Sequence, residues 1–360
     1  MSGEPEVSVV IPTRDRARFL PDAVATSLGQ EGVDLEVIVV DDGSRDDTPS
    51  LLAGVADPRL RVLRLEPSRG QTEARIAGIK AARGRWLAFL DDDDLWAPSK
   101  LRLQLEAAER AGATWVYCGV LLVSPEGDVV RVEGPPDPEA VLKALLRSNV
   151  VQAGASTVIV EAARYHAVGG FEDGLSNPWD LCIRLAADGR AAAVDDALVA
   201  YRRHPGTRIA GSRGPALEEA RHIAAKHRHL ALDHGTAFDL EQYRRWLDSE
   251  RLRGLRSLAT LRLARGQRFG ALRAQLKALA VGRKLVDLRR LLGIAAGERT
   301  KAVLRRAAPR VEQSRQGEAI PDWLAPYLED RVDVRRSSSS TDTAGTVGAT
   351  SERAKTTLKP

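Results

Sequence analysis

Four consecutive aspartates occupy positions 91–94, directly after the apolar run WLAFL (86–90). Adjacent carboxylates repel one another, so something must offset their charge. In an extended strand end, residues i and i+2 share a face. That would aim Asp91 and Asp93 at one point and turn Asp92 elsewhere. Hard divalent cations such as Mn²⁺ or Mg²⁺ take oxygen ligands and are often held by one or two carboxylates plus substrate phosphates. The pattern suits a cation bridging the protein and a diphosphate. The plainer alternative is a solvated acidic loop, or Asp93 or Asp94 capping a helix in DLWAPSKLRLQLEAA. Two other strand-like runs also end in polar residues, Pro12-Thr13-Arg14 and Asp41-Asp42-Gly43-Ser44. DDGS alone reads equally well as an Asx turn. Three polar strand ends together favour one ligand touched by all of them.

The elements that must position these residues alternate. VSVVIP (7–12) reads as a buried strand, 17–30 as a helix, and LEVIVVDDGS (35–44) as a second strand. A short helix follows at 46–56 with Asp47 or Thr48 as its cap. Then come a half-buried strand (59–67), a helix (71–82) and a fourth strand (85–91). This rhythm implies right-handed crossovers and an α/β fold with a mostly parallel, Rossmann-like sheet flanked by helices. Ligands in such sheets lie outside the carboxyl ends of the strands. Further strands are expected at 114–123, 156–160 and 197–201, and a helix at 179–187. From 215 to 310 the pattern is helical, with leucine stripes between arginines. The tail from Arg335 is poor in large apolar residues and predicts disorder.

Composition bounds the rest. The 360 residues are 43% hydrophobic and 29% charged, enough for one good core and a smaller second one. Cys118 and Cys182 lie in no metal or redox spacing, which predicts structural thiols in a reducing compartment. The N-terminus lacks the basic and apolar regions of a signal peptide, and no run is long enough to span a bilayer. The net charge of +5 hides an asymmetry. Residues 241–310 carry 16 Arg and 3 Lys against 3 Glu and 2 Asp, a net +14, which leaves −9 on the remainder.

From about Val7 to Arg208 the chain resembles the family 2 glycosyltransferases of the GT-A fold. The resemblance rests on VSVVIPTRDRARFLPDAVATSLGQ, LEVIVVDDGSRDDT, RGQTEARIAGIKAARGRWLAFLDDDDLW, GGFEDGL and WDLCIRLAADG, in that order. It implies an inverting hexosyltransferase that moves a sugar from a nucleoside diphosphate, of UDP or dTDP type, to an acceptor hydroxyl in cell-surface polysaccharide or glycoconjugate synthesis. It implies that Pro12, Thr13 and Arg14 lie against the nucleotide and that Asp42 accepts a hydrogen bond from the base. Arg75 and His204 are implied near the diphosphate, where the plainer readings are a solvated helix arginine and a loop histidine. Asp91 and Asp93 are the implied metal pair, with Asp92 toward the ribose. The family's general base is usually the Asp of a Glu-Asp pair before WDLWLRL. Here Asn177-Pro178 stands in its place, and the loop after GGF is shorter than usual. Asp180 is the next candidate, followed by Asp173 or Glu172. Asp180 also reads as the third residue of a helix capped by Asn177 and opened by Pro178, pointing ~200° away from position 178.

Three halves or extensions follow from these readings. A catalytic domain covers 1–211, with a nucleotide-binding half at about 1–98 and an acceptor half at about 99–211. A basic helical extension covers 212–330 and a disordered tail 331–360. The extension can pack on the acidic catalytic part or lie on an anionic membrane surface. Nucleic acid is disfavoured by the lack of a motif and an aromatic content of 4%. The expected location is cytoplasmic, peripheral at the inner face of the membrane. A non-catalytic nucleotide-sugar-binding protein that has lost its base is the rival reading. A nucleotidyltransferase would need a glycine-rich loop after the first strand, and IPTRDRARF has none.

Overall fold

The computed structural model describes residues 3–124, 127–175, 178–204, 213–264, 266–282, 285–295 and 320–329. The expected turn at 125–128 lies partly outside these residues, Asn177 lies outside them, and so does the tail 331–360.

The first half forms as its periodicity predicts. β1 (Val7–Thr13), β2 (Leu35–Asp41), β3 (Leu60–Arg64) and β4 (Trp86–Phe89) run parallel in the order β3-β2-β1-β4. Three helices connect them: α1 (Leu20–Leu28), α2 (Thr48–Ala53) and α3 (Gln71–Ala81). β1 and β2 are buried along their whole length because helices cover both sheet faces. Val7, Val9 and Ile11 join the apolar cluster containing Leu20 and Val24 of α1. Val10 points into the opposite cluster with Ile79 of α3. Gly78 lets α3 approach closely, since a Cβ there would come within 2.5 Å of Val10 Cγ1.

The second half departs from a parallel pattern. β5 (Leu95–Trp96), α4 (Lys100–Ala111), β6 (Trp115–Val123), β7 (Val129–Glu133), α5 (Val141–Leu145), a 3-10 turn (Gly154–Thr157), β8 (Ile159–Glu161), α6 (Ala162–Ala167), α7 (Trp179–Asp188) and β9 (Ala191–Arg202) follow in chain order. The sheet continues as β4-β8-β6-β9-β5, with β7 on the edge of β6. β8 is antiparallel to β4 and β6, β5 is antiparallel to β9, and β6 and β9 are parallel. β9 spans twelve residues, against the five expected at 197–201. Its first part, AAAVDDAL, shows little apolar alternation and is held by pairing with β6.

The helices beyond position 212 are α8 (Arg213–Lys226), α9 (Arg228–Asp233), α10 (Leu240–Ala264), α11 (Arg268–Gly282), α12 (Leu285–Ala295) and α13 (Pro326–Glu329). Ala220, Ile223, Tyr243 and Leu247 share an apolar cluster with Trp179, Leu181 and Ile183 of α7. The start of the helical segment is thus continuous with the core beside α7. Leu324 and Leu328 return to the sheet and pack with Leu95, Leu121 and Val123. Among the described residues no helix is long and apolar enough to cross a membrane.

Candidate active site

The four aspartates form a hydrogen-bonded turn between β4 and β5. Asp94 N–H donates to the Asp91 carbonyl at 3.0 Å. The i, i+2 rule of an extended strand end therefore does not apply, and each carboxylate takes its own partner. Nor do they cap a helix, because α4 starts at Lys100 with Ser99 before it. Asp91 Oδ1 accepts from Arg75 Nη2 at 2.7 Å and from Gln71 Nε2 at 3.2 Å. Asp92 Oδ2 accepts from the Thr13 hydroxyl at 2.7 Å. Asp93 Oδ2 lies 2.8 Å from His204 Nε2. Asp94, fully buried, accepts from the Ser156 hydroxyl at 2.6 Å. Arg16 lies 3.9 Å from both Asp92 and Asp93. These partners offset the mutual repulsion.

The environment divides the carboxylates. Burial and the charge of Asp93 push the Asp92 carboxyl up to about 7, against the opposing pull of Thr13 and Arg16. Burial also works to raise Asp93, but His204, Arg16 and Arg202 outweigh it and bring it below the usual carboxylate value. Asp94 is raised by burial and by its charged neighbours.

Arg16, Phe19 and Arg202, not singled out from the sequence, complete this corner. Arg202, 2% exposed, donates from Nε to the Asp93 carbonyl at 2.6 Å and pairs with Asp22. Phe19 stacks on His204 with ring centroids 4.3 Å apart, and the Arg202 guanidinium lies 5.4 Å from the same ring. Arg16 and Arg202 stand inside IPTRDRARF and YRRHPG, so only the choice among several arginines was hidden.

The DDGS end works differently. Asp41 Oδ1 accepts from Ser44 N–H at 2.9 Å, the Asx turn its sequence suggests, and Oδ2 binds Arg64. Asp42 holds the loop before α3. It accepts from the Ser68 hydroxyl at 2.6 Å, Arg69 N–H at 2.6 Å and Gly70 N–H at 2.8 Å. Gly70 adopts φ +96°, a conformation that favours glycine. Arg14 Nη1 donates to the same Ser68 hydroxyl at 2.6 Å. Pro12 lies buried in β1 opposite Val40. Thr13, Arg14, Asp42, Asp92, Asp93 and His204 are thus linked through shared partners at the carboxyl ends of β1, β2 and β4.

Arg75 is buried in α3 rather than solvated. Its guanidinium lies 5.1 Å from the Phe171 ring centroid, and among the described residues Nε and Nη1 have no hydrogen-bond partner. Position 178 and Asp91 both border Gly154. A Cβ added to Gly154 would lie 3.8 Å from Asp91 Oδ2 and 4.0 Å from the Pro178 ring. The proline there brings no proton acceptor.

Asp180 has another engagement. α7 begins at Trp179, where the helix over 179–187 is expected, and not at Pro178, so Asp180 is its second residue rather than its third. The carboxylate is 2% exposed. It accepts from Arg184 Nε and Nη2 at 2.9 and 2.7 Å, and it lies 2.7 Å from His227 Nε2 and 3.0 Å from Lys226 Nζ. Burial alone would raise its pKa. His227, Lys226 and Arg184 prevail and hold it far below the usual carboxylate range. Arg184 also donates to the Val168 and Gly170 carbonyls, and Lys226 pairs with Glu172. The network fastens the GGF loop and α7 to α8. Asp173 is exposed and accepts from Gly174 N–H of its own turn at 2.8 Å.

This parallel sheet with an acidic turn at its carboxyl edge is the GT-A arrangement. TarS residues 1–349 of S. aureus, solved in complex with UDP-GlcNAc, superpose on it with a TM-score of 0.51. That match covers 84% of this chain and 90% of that chain at 17% identity. Residues 8–150 match the family model described as Glycosyl transferase family 2. The succinoglycan biosynthesis protein ExoO of Rhizobium meliloti (strain 1021) is 42% identical over 151 residues, 41% of this chain and 43% of that protein. WfgD of Escherichia coli, a UDP-Glc:alpha-D-GlcNAc-diphosphoundecaprenol beta-1,3-glucosyltransferase, is 28% identical over 129 residues, 36% of this chain and 51% of that protein. The chain therefore spans about half the length of these curated relatives.

Proposed function

We propose that the chain is a glycosyltransferase that moves a sugar from a nucleoside diphosphate sugar to an acceptor hydroxyl with inversion, in polysaccharide or glycoconjugate synthesis. The observation that carries this reading is the meeting of Thr13, Arg75 and the aspartate turn at the carboxyl ends of β1 and β4. It is supported by the family match over 8–150 and by the role in the name of ExoO. WfgD and TarS make UDP-linked sugars the first donors to try.

The residues fit a hard divalent cation. Asp91 and Asp93 supply carboxylate oxygens, and His204 lies beside the second. Among the described residues no group of three or more His, Cys, Asp or Glu forms a metal cage. Mg²⁺ or Mn²⁺ would therefore depend on Asp91, Asp93 and the donor's phosphates. When bound it supplies positive charge against the departing diphosphate. Arg75 contributes two buried N–H-bearing nitrogens that lack partners among the described residues, and a phosphate would satisfy them. In this reading Thr13 orients Asp92 for the ribose, and Arg14, hydrogen-bonded to Ser68 of the loop that Asp42 holds, lies against the nucleotide. The base of the acceptor hydroxyl is assigned to Asp173, because Asp180 is a weak proton acceptor in its cationic network. The buried free thiols Cys118 and Cys182 accord with a cytoplasmic, reducing location.

The commitment of Asp180 to α8 and the proline at 178 favour one second reading, a nucleotide-sugar-binding protein without transfer activity. The decisive experiment is a thermal-shift series of UDP, dTDP and UDP-GlcNAc with and without Mn²⁺. The expected result is a Mn²⁺-dependent stabilisation that Asp93→Asn loses while remaining folded. Unchanged metal dependence in that variant removes the assignment of Asp91 and Asp93. Metal-dependent binding with no transfer to any acceptor selects the second reading.

A further inference from the structure

We propose that the outer face of α11 and α12 docks on an anionic lipid bilayer, an inference independent of the chemistry above. The inner faces of these helices are used up. Ala271, Ala274, Gln275 and Ala278 are buried in α11, and Asp287 and Ile294 in α12. Arg256 of α10 grips Asp287 with bonds of 2.7 and 2.6 Å, and Gln275 Nε2 donates to the Asp287 carbonyl at 3.1 Å. Arg268 Nε donates to the Ile294 carbonyl at 2.9 Å, which ties the start of α11 to the end of α12.

The opposite faces mix large apolar side chains with cations. Phe269, Arg273, Leu276 and Lys277 follow the i, i+4, i+7, i+8 spacing of one helix face, and all are exposed. Phe269 is 90% exposed and Leu276 53%. On α12, Leu292 is 60% exposed, one turn from exposed Leu288. Single exposed leucines need no explanation. Four large apolar side chains on the outer faces of two packed helices, one of them a nearly bare phenylalanine, do.

The charge is as one-sided as the packing. Positions 268–295 contain seven Arg and Lys and a single acid, Asp287. That acid is fully buried and already paired with Arg256. Among the described residues of α11 and α12, the outer face therefore carries cations with no acidic neighbour on the same helices. Apolar tips interleaved with Lys and Arg match the two components of a bilayer surface, acyl boundary and anionic headgroup. A nucleic acid would meet the cations but gain nothing from Leu276, Leu288 and Leu292, since its sequence-tolerant contacts are aromatic stacks.

The test is co-sedimentation of the full chain with vesicles of phosphatidylcholine alone or of phosphatidylcholine with phosphatidylglycerol. Binding is expected only to the anionic vesicles, and it should weaken as salt rises. Phe269→Asp/Leu276→Asp should weaken it about tenfold or more, through two added carboxylates near the anionic surface. Arg273→Glu/Lys277→Glu should do the same through charge alone. All four side chains are exposed, so the circular dichroism spectrum should not change. Three results overturn the proposal: no binding to anionic vesicles at low salt, equal binding to phosphatidylcholine alone, or undiminished binding in both variants. Tighter binding to a short RNA duplex, insensitive to Phe269→Asp/Leu276→Asp, also overturns it and assigns the cations to nucleic acid.

Discussion

The turn after β4 and the start of α7 treat their carboxylates in opposite ways. At the ends of β1 and β4, four aspartates crowd one turn, and neutral donors such as Thr13 and Ser156 hold two of them. On α7, a single aspartate is surrounded by Arg184, Lys226 and His227. The first arrangement concentrates carboxylates at the carboxyl ends of β1 and β4, where the proposed cation and diphosphate would use them. The second neutralises charge and converts it into attachment between the GGF loop, α7 and α8. A carboxylate within reach of the cleft is therefore a poor guide to function until its partners are known.

The strongest way to break this contrast is to exchange the roles. If Asp173 is the base and Asp180 the fastener, Asp173→Asn should lower turnover by about 10²–10⁴ with donor affinity nearly unchanged. Steady-state rates on an identified acceptor, beside UDP binding, check it. Full activity in Asp173→Asn would return the role to another carboxylate.

Asp180→Asn should instead cost stability, about 2–4 kcal/mol, because it leaves the Arg184 and Lys226 cations around a buried neutral amide. Chemical denaturation measures this. The pH dependence has a definite sign. The folded pKa of Asp180 lies below its ordinary, unfolded-chain value of 3.8, so its contribution is fully present above that value. It is lost as pH falls through the folded pKa. The difference between wild type and variant should thus be constant at neutral pH and shrink on acidification. A difference that grows on acidification would contradict the network.

Lys100 sharpens the comparison from the other direction. It is a fully buried cation with no carboxylate. Its ammonium group donates to Gln104 Oε1 at 2.7 Å and lies 4.0 Å from the Trp96 ring centroid. Burial brings its pKa down from 10.5 to about 8. Between these values the unfolded chain binds more protons, so stability should rise with pH across that window. The expected gain is on the order of 1–3 kcal/mol. Lys100→Met should lack this rise, as urea midpoints at both ends of the window will show.

The smallest expected effect lies in the donor half. Gly78→Ala would place a Cβ 2.5 Å from Val10 Cγ1 and 2.9 Å from Val40 Cγ2. Alanine's better helix propensity offsets part of the clash, leaving a net loss of about 1 kcal/mol. Because α3 carries Gln71 and Arg75, the same variant should also weaken nucleotide binding. A gain in stability without any change in binding would show that α3 tolerates lifting off the sheet.

What the sequence determined by itself was the donor half. β1, β2 and β4 are buried on both faces, β3 is a partly exposed edge strand, and the helices are local, so apolar periodicity reports them directly. The positions of Thr13, Asp42 and the aspartates at strand ends follow from that alternation. The resemblance added Arg75 and His204. What only the tertiary structure decided were the pairings between residues far apart in the chain. Asp180 meets His227 across 47 residues, Asp93 meets His204 across 111, and Asp22 meets Arg202 across 180. The turn at 91–94 also escaped a strand-end reading, because its shape is fixed by Ser156 and Arg202 from distant segments. Periodicity records which face of an element is apolar, since that is set by near neighbours in the chain. It does not record which buried charge answers which, because that depends on where the folded chain brings the second one.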